Sequence, residues 1–370
     1  MRIYDVGRKV SGESVLGQES SAGPVAAGDV EGKGQLDLFV GGRVKAGRYP
    51  EPADSLILKS VGGRLEERQR LEGVGLVSGA VWSDLDGDGL PELILACEWG
   101  PVKVFHNDGG HFTEITARLG LDQYTGWWNG VSVGDFDGDG RMDIVAGNWG
   151  LNTKYRASRE HPRRLYYGDV DGHGTVDLVE AYYDEEMKQE VPERDLGAVG
   201  AALPWVREKY ASYAAYGQAS VQEIYGEKLK AMKAVEANTL ASMIFFNRGD
   251  HFEGRALPAE AQFAPAFAVC VGDYDGDGQE DVFLSQNFFA VSADQSRSDA
   301  GRGLWLRGDG QGGLKAVPGQ ESGIKVYGEQ RGAALCDYDG DGRVDLVVSQ
   351  NGAPTKLYHN VGARPGLRVR

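Results

Sequence analysis

The chain has 370 residues, with 39 Lys and Arg against 55 Asp and Glu, so its formal net charge is −16 at pH 7. This charge argues against nucleic acid or an anionic membrane surface as a partner. No apolar run approaches transmembrane length, and the first residues contain no apolar signal segment, so we predict no membrane insertion. Cys97, Cys270 and Cys336 each lie in an apolar run and predict buried thiols rather than a disulfide framework.

An acidic nine-residue motif occurs six times along the chain, each time between two apolar runs. It places carboxylates at positions 1, 3, 5 and 9 and glycine at position 6, which permits a sharp turn. Four copies are complete, whereas the first and fourth carry Lys33 and His173 at position 5. We number these loops in chain order as loop 1 (29–37), loop 2 (84–92), loop 3 (135–143), loop 4 (169–177), loop 5 (273–281) and loop 6 (337–345).

The four complete loops predict calcium sites. Ca²⁺ takes six to eight oxygen ligands, which the carboxylates, the position-7 carbonyl and a water can supply. An EF-hand needs a bidentate glutamate at position 12, but loop 3 has Ala146 there, and the residues after each loop have the pattern of a strand. The predicted ligands are Asp84, Asp86, Asp88, Leu90 and Glu92; Asp135, Asp137, Asp139, Arg141 and Asp143; Asp273, Asp275, Asp277, Gln279 and Asp281; and Asp337, Asp339, Asp341, Arg343 and Asp345.

The two incomplete loops are expected to behave differently from the complete ones. Loop 4 keeps Asp169, Asp171 and Asp177 and predicts a weaker site. Loop 1 is expected to stay empty, because the ammonium of Lys33 would repel a cation. The alternative for all six loops is a set of solvated acidic turns without bound metal.

The runs around the loops predict an all-β fold, a β-propeller of four-stranded blades. In the second unit, four strand-like runs lie between Ala80 and Ile115, and repetition of such a unit is typical of propeller blades. The repeats favour about six blades in a single propeller over 1–370, with Met1–Val6 as the outer strand of the last blade. The strands around loop 4 fit either the inner pair of their own blade or the outer pair of the third.

Residues 193–238 change to a helical pattern and predict a helical insertion within the propeller. Apolar residues recur there every three to four positions, from Val206 to Ile224, and Pro204 suits a first helical turn. Two roles are open for this insertion: a lid over a ligand-binding face, or a buttress against the outer strands.

Four further segments carry a resemblance to a known family: Gly17–Pro24, Ala146–Asn152, Gly328–Gly332 and Tyr358–Ala363. With the acidic loops, they make the chain similar to the FG-GAP/VCBS repeat family of integrin α-subunit heads, and more closely to the ASPIC/UnbV, cartilage-acidic-protein-like group. The resemblance implies seven blades, an extracellular or cell-envelope location, and recognition or adhesion by a monomeric ring. It also implies that residues 361–370 begin a truncated ASPIC/UnbV domain, which makes the chain a fragment.

The face opposite the acidic loops is the predicted ligand site, because side-chain amides lie there beside aromatic rings. Such a surface suits a protein or glycan ligand. The alternative is that the amides bind loop carbonyls and the rings pack between blades. The candidate ligand-binding residues are Trp99, Trp127, Trp128, Asn148, Trp149, Gln286, Asn287, Glu329, Arg331, Gln350 and Asn351.

Two other functions remain open alongside a binding module. One is an envelope hydrolase or lyase acting on a glycan or similar polar substrate, with Glu98 or Glu329 as acid and base. The other is a purely structural scaffold for a missing C-terminal domain. The chain has no His-x-x-x-His pair, nucleophile elbow or phosphate-binding loop, so we predict no catalytic residues.

Overall fold

The structure, a computed structural model, describes residues 2–5, 10–14, 17–62, 64–170, 172–291 and 295–366. The first two segments form an antiparallel pair, β1 (Arg2–Asp5) and β2 (Val10–Ser14). The prediction that Met1–Val6 forms the outer strand of the last sheet is wrong, because β1 pairs with β2; Met1 and Val6 themselves lie outside the described residues.

Antiparallel sheets dominate the chain, so the expectation of an all-β fold is confirmed. We give each sheet the number of the loop that it contains. One long strand, β6, belongs to two sheets: it pairs with β5 up to Gly75 and with β7 from Leu76 onward. Sheets 1 and 2 comprise β3 (Ser20–Gly28), β4 (Asp37–Lys45), β5 (Ala53–Val61), β6 (Arg64–Ser83), β7 (Glu92–Gly100), β8 (Lys103–Asp108) and β9 (His111–Glu114).

Sheet 3 is interrupted by the insertion of sheet 4 between its second and third strands. A short strand, β10 (Gly126–Trp127), pairs with the end of β7 and leads into sheet 3. The strands of sheet 3 are β11 (Gly130–Gly134), β12 (Asp143–Gly147), β17 (Met243–Asn247) and β18 (Phe252–Ala256). The strands of sheet 4, in the order β15-β14-β13-β16, are β13 (Arg163–Gly168), β14 (Asp177–Asp184), β15 (Gln189–Pro192) and β16 (Lys233–Ala237).

This topology corrects the second interpretation of the strands around loop 4. They are not the outer pair of the third sheet, because β12 pairs with β17, and β17 pairs with β18. They form their own sheet, but its remaining strands do not begin at Ser242, where a third strand was expected; β15 and β16 complete it instead.

The last two sheets follow without insertions. Sheet 5 has four strands, whereas sheet 6 has three among the described residues. Their strands are β19 (Ala266–Gly272), β20 (Asp281–Gln286), β21 (Leu304–Gly308), β22 (Leu314–Val317), β23 (Glu329–Cys336), β24 (Asp345–Asn351) and β25 (Ala353–Tyr358).

Five short helices connect β15 to β16 and pack on sheet 4. Val206, Val221 and Ile224 are buried against Val179 and Ala181 of β14. Side chains of Asp195, Ser212 and Ser220 accept hydrogen bonds from first-turn amides, which stabilises helices that are individually short. The helices are α1 (Leu196–Ala202), α2 (Pro204–Lys209), α3 (Tyr213–Gly217), α4 (Val221–Tyr225), α5 (Glu227–Ala231) and, elsewhere in the chain, α6 (Gly319–Ser322).

Sheets 1, 2, 3, 5 and 6 lie side by side in chain order through their first strands, β3, β6, β11, β19 and β23. A separate hydrophobic core fills each gap between neighbours, as between Ile94 of sheet 2 and Ile144 of sheet 3. The first strands approach so closely that a Cβ on Gly79 would lie 2.9 Å from the Cα of Gly130. Glycine is therefore required there for packing.

The cysteines differ in exposure: Cys97 is buried and Cys270 is half-buried, but Cys336 is exposed. The prediction of a buried thiol is wrong for Cys336, which lies near the end of β23, where alternate residues face outward. No helix among the described residues is long and apolar enough to cross a membrane.

Candidate metal centres and the opposite face

The complete loops share one backbone geometry, set by the aspartate at position 1. In loop 3, the two carboxylate oxygens of Asp135 accept the amides of Gly138 at 2.8 Å and Gly140 at 2.9 Å. Asp84, Asp273 and Asp337 make the same pair of bonds in their own loops. The aspartate thus coils the loop around its own carboxylate, because the two glycines supply the positive φ angles that the coil needs.

The carboxylate at position 9 closes each coil. One oxygen of Asp143 accepts the amide of Phe136 at position 2, and Glu92, Asp281 and Asp345 do the same in loops 2, 5 and 6. Position 5 accepts the amide of the position-7 residue, as Asp139 does from Arg141 at 2.9 Å. The structure therefore brings acidic ligands of each predicted set together around one point, as in Asp84/Asp86/Asp88, Asp135/Asp137/Asp143 and Asp273/Asp275/Asp281.

In loops 3 and 5, an unpaired oxygen supports the fit to a cation. Oδ1 of Asp137 and Oδ1 of Asp275, both at position 3, are buried and accept no hydrogen bond from a described residue. A buried carboxylate oxygen without a partner is costly, and a cation would satisfy it. The oxygen-only side-chain donors at positions 1, 3, 5 and 9 are those that hard cations such as Ca²⁺ prefer.

Burial also perturbs the position-9 carboxyls. It raises the pKa of Asp143 to about 6 and that of Asp281 to about 6, and it raises the pKa of Glu92. Amides of Asn247 and Phe136 oppose this effect at Asp143, while the charges of Asp137 and Asp139 add to it. The clustered carboxylates therefore repel one another, and a bound cation would remove this repulsion.

The complete loops divide into two pairs according to the side chain that reaches over them. In loops 2 and 6 it is a histidine: His106 Nδ1 lies 3.1 Å from Glu92, and His359 Nε2 lies 2.9 Å from Asp339. In loops 3 and 5 it is an arginine, with Arg248 at 2.7 Å from Asp137 and Arg307 at 2.8 Å from Asp275.

Loop 1 keeps the coil but holds cationic side chains. Asp29 accepts the amides of Lys33 and Gly34 at positions 5 and 6, whereas position 1 of the complete loops accepts those of the glycines at positions 4 and 6. Glu31 at position 3 contacts Lys33 at 2.8 Å, Lys59 at 2.7 Å and Arg68 at 2.7 Å, and these hydrogen bonds lower its pKa strongly. Three cations, rather than Lys33 alone, thus surround the carboxylate that would face a metal.

Loop 4 retains part of the common geometry. Asp169 accepts the amides of Gly172 and Gly174, and Asp177 accepts that of Val170. Asp171, the third residue of the predicted weaker site, lies outside the described residues. The carbonyl of Val170 accepts a hydrogen bond from Lys228, so the helices reach this loop.

A set of asparagines that the sequence analysis missed joins neighbouring loops. The side-chain amide of Asn247 donates to Met142 O of loop 3 at 3.3 Å and to Leu85 O of loop 2 at 2.8 Å. Asn107 joins loop 2 to loop 1 in the same way, and Asn360 joins loop 6 to loop 5. The recurring Asn at the end of the third strand, 15 residues after position 9 in loops 2 and 6, was the available signal.

These bonds place loops 1, 2 and 3, and likewise loops 5 and 6, at one end of the row of sheets, which we call the loop end. Loop 3 and sheet 5 are linked differently, because sheet 5 has Gly308 where sheets 2, 3 and 6 have asparagine. There the amide of Gly312 donates to Phe136 O of loop 3 at 2.8 Å.

Aromatic side chains run across the opposite end, which we call the exit face. Trp127 contacts Trp99, Trp149 and Tyr155, with ring centroids 5.1, 5.5 and 5.2 Å apart. Trp149 in turn lies 5.1 Å from Phe288. These rings come from sheets 2, 3 and 5 and, for Tyr155, from the segment between β12 and β13, so they form one continuous row.

The row continues to a cation at the start of sheet 6. The guanidinium of Arg331 lies 3.8 Å from the ring centre of Phe267 and 5.3 Å from that of Phe288, and it pairs with Glu329. Gln350 and the exposed Asn351 lie beside this pair, and Asn351 donates to Glu329 at 3.3 Å. The structure thus brings seven of the eleven predicted ligand residues to this end of the sheets, although Trp127 and Glu329 are themselves buried and the other aromatic rings pack around Trp127.

Four predicted ligand residues are placed where they serve the fold. Asn148 accepts the amides of Trp127 and Trp149 and donates to Thr239 O, and Asn287 bonds to Gly301 and Gly328. Both side chains are fully buried. Gln286 is buried and donates to Glu260 O, and Trp128 lies in the core between sheets 2 and 3. These four do not present a free polar group on the exit face.

Both glutamates of the enzyme alternative are hydrogen-bonded within the fold. Glu98 accepts hydrogen bonds from Tyr49 at 2.7 Å and from Arg43. Glu329 is held by Arg331 and by the amide of Phe289 at 3.1 Å. Both carboxylates thus anchor loops of the exit face.

Two backbone outliers lie at this end of the sheets, the half-buried Trp99 and the buried Asn287. Trp99 has φ 58° and Asn287 has φ 86°, in the left-handed region that non-glycine residues rarely adopt. Strain of this kind concentrates at binding sites, where the surrounding structure holds it in place.

Sequence comparison identifies the repeat class. Residues 84–146, which contain loops 2 and 3, match the family of FG-GAP-like repeats. The chain is also similar to cartilage acidic protein 1: 28% identical to the protein of Mus musculus over 244 residues, and 26% identical to that of Homo sapiens over 276 residues. The resemblance drawn from the loops and the four segments is therefore confirmed.

The matched regions cover 64% and 70% of this chain but 33% and 37% of those two relatives, so the chain spans about a third of their length. Among solved structures, the Vibrio cholerae biofilm matrix protein Bap1 aligns at 14% identity with a TM-score of 0.32, over 86% of this chain and 42% of that one. A Bacillus licheniformis rhamnogalacturonan lyase aligns at 17% identity with a TM-score of 0.35, over 96% and 57%. Overlap this loose carries no argument about the fold or activity of this chain.

Proposed function

We propose that this chain is an extracellular interaction module, a calcium-stiffened β-propeller that binds a protein or glycan on the exit face. The observation that carries the proposal is that the two ends of the sheets present different kinds of side chain. Carboxylate loops with unpaired buried oxygens lie at one end, and a continuous row of aromatic rings lies at the other.

Propeller closure and the ASPIC/UnbV connection are part of the proposal. Five sheets side by side, each with its loop at the same end, are the arrangement of propeller blades. Residues 361–370 would lead into an ASPIC/UnbV domain, as the similarity to cartilage acidic protein 1 suggests. The ring is proposed to be monomeric.

The proposed metal sites are loops 2, 3, 5 and 6, with loop 4 weaker and loop 1 empty. Four bound Ca²⁺ would halve the net charge of −16. Bound Ca²⁺ would supply positive charge among the clustered carboxylates, and the position-1 aspartates would orient each coil around it.

Metal analysis of chelated and reloaded protein tests the sites. We expect about four Ca²⁺ per chain, and Asp137→Ala should remove one. Asn152→Ala, a change in an exposed residue, should leave the content unchanged. Two or fewer ions per chain would refute the assignment.

Array binding tests the exit face. We expect Trp149→Ala to lose binding to a glycan or peptide hit while it keeps full calcium content. Tyr213→Ala is the matched control, because Tyr213 is an exposed aromatic residue on α3 of the insertion. Binding that survives Trp149→Ala but is lost in a loop-end variant with intact calcium content would place the ligand at the other end.

A further inference from the structure

A cavity of about 660 Å³ opens on the exit face between sheets 3 and 5. Trp149, Tyr155 and Phe288 form its aromatic wall, and Lys154, Arg194 and Arg297 surround it. Its volume is within the range of small-ligand sites, which is about 300–1,000 Å³. Arg194 comes from the insertion, so sheet 3, sheet 5 and the insertion together build this cavity.

The charged residues that the structure places around the cavity are basic, whereas the chain as a whole is acidic. Asp and Glu outnumber Lys and Arg by 55 to 39 overall, yet none of the described residues that line the cavity is acidic. Lys154 is neutralised by Glu193 at 2.5 Å. In the part of the chain that the structure describes, Arg194 and Arg297 form no ion pair with a carboxylate, and Arg297 lies over the ring of Phe289 at 5.3 Å.

We infer that this cavity binds an acidic saccharide, a sugar that carries a carboxylate or a sulfate group. The inference rests on the proposed function and narrows it from any ligand to this class. Arginine pairs with carboxylate and sulfate through two parallel N–H bonds. The rings of Trp149 and Tyr155 offer an apolar surface to the C–H face of a sugar ring.

The rest of the lining favours a sugar over an acidic peptide. Asn152, Thr153, Gln295 and Ser296 contribute amides and hydroxyls, which can both donate and accept hydrogen bonds. Sugar hydroxyls both donate and accept, so they match such two-way partners in several directions. An acidic peptide would need partners for its backbone amides and carbonyls as well as for its carboxylates.

Calorimetric titration of the calcium-loaded chain at 0.15 M NaCl tests the inference. The probes are tetragalacturonate, a heparin tetrasaccharide, neutral maltotetraose and a tetra-aspartate peptide. We expect binding of one or both acidic saccharides, no binding of maltotetraose, and weaker binding of the peptide. The first two probes distinguish a carboxylate ligand from a sulfate ligand.

Charge-removing variants show where binding occurs. Arg194→Ala and Arg297→Ala should each weaken acidic-saccharide binding about tenfold, because each variant loses the hydrogen bonds from one guanidinium to the ligand anion. Arg118→Ala is the control, since this exposed arginine also forms no ion pair with a described carboxylate and lies after β9. Melting temperature and calcium content confirm folding, and Arg194→Gln and Arg297→Gln serve if an alanine variant is unstable.

The outcomes separate this inference from the proposed function. If a neutral glycan or peptide binds and requires Trp149 but neither arginine, the inference is overturned and the exit face stands. If acidic saccharides bind equally to wild type, Arg194→Ala and Arg297→Ala, their site is not this cavity and the inference is overturned. If nothing binds and Trp149→Ala changes no binding on the arrays, both fail.

Discussion

At the loop end, the same few contacts recur from sheet to sheet, whereas at the exit face the side chain changes along the row, from tryptophan in sheets 2 and 3 to phenylalanine in sheet 5 and arginine in sheet 6. Position 1 accepts two glycine amides in every complete loop, and Asn107, Asn247 and Asn360 repeat one bridge. On the exit face, sheet 2 supplies Trp99 and sheet 6 supplies Arg331. Repeated residues thus build the frame at the loop end, and less regular residues build the exit face.

The comparison implies that substitutions at the loop end reduce stability more than ligand binding. Substitutions on the exit face should reduce ligand binding more than stability. Removal of all calcium should have the largest effect. Each site that binds only the folded state stabilises it by about 2.7 kcal/mol at a hundredfold excess of ligand over Kd. We expect a large fall in melting temperature in EGTA, measured by calorimetry, with Mg²⁺-supplemented EGTA buffer as the control. An unchanged melting temperature would show that the loops do not depend on calcium.

Loss of one bridge should have the next largest effect. Asn247→Ala leaves the carbonyls of Leu85 and Met142 without their amide partner in a buried region, which costs about 2–3 kcal/mol. Chemical denaturation should show this loss in the calcium-loaded protein. Asn152→Ala removes a single exposed bond to Phe263 O and should cost less than about 0.5 kcal/mol. Equal costs for the two variants would contradict the role of the bridge.

The pH dependence of stability should reverse with calcium. Burial raises the pKa of Asp143 and Asp281 to about 6, above the ordinary value of 3.8. In metal-free protein, the stability that these protonated groups contribute is present below pH 3.8 and is lost as pH rises through about 6.

We therefore expect metal-free protein to melt at a higher temperature at pH 5 than at pH 7.5, and calcium-loaded protein to show the opposite order, because protons compete with Ca²⁺. Melting curves at both pH values measure this. Asp143→Asn should reduce the difference in the metal-free protein, whereas a metal-free protein that is more stable at pH 7.5 would contradict it.

The smallest effect should come from the side chains above the loops. Arg248 places a permanent positive charge 2.7 Å from Asp137, and this charge competes with a bound cation. Arg248→Gln should raise the calcium affinity of loop 3 about threefold to fivefold, the equivalent of an exposed pair of up to about 1 kcal/mol. Calcium titration of this variant, with Arg118→Ala as the control, measures the change. Lower affinity would mean that the arginine supports the site.

The sequence was most informative where spacing alone determines geometry. Carboxylates at positions 1, 3, 5 and 9 predicted the coil of each loop, and alternating apolar residues predicted its flanking strands. The partner of β12 could not be predicted, because β17 follows about a hundred residues later and local pattern does not encode long-range pairing. For the same reason the strands around loop 4 were open to two interpretations.

At the exit face, residue type predicted the location better than the role. The aromatic residues Trp99, Trp127 and Trp149 meet as expected, but Trp128, one position along, points into the core. The side chains of Asn148 and Asn287 form hydrogen bonds with backbone groups that lie near them only in the folded chain. Arg194 and Arg297 could not be predicted because both lie in connecting segments outside the acidic motif, and no local pattern brings them together.

The insertion between β12 and β17 has a consequence for synthesis. Ile144 of β12 pairs with Phe245 of β17, so β12 cannot pair with β17 until about a hundred further residues have been synthesised. At about 5–20 residues per second on the ribosome, this wait lasts about 5–20 seconds. During that time sheets 1 and 2 and the insertion, each with a core of its own, can fold, while one edge of β12 remains unpaired. In this period the unpaired edge of β12 can pair with a strand of another copy. The risk ends when β17 and β18 leave the ribosome and complete sheet 3.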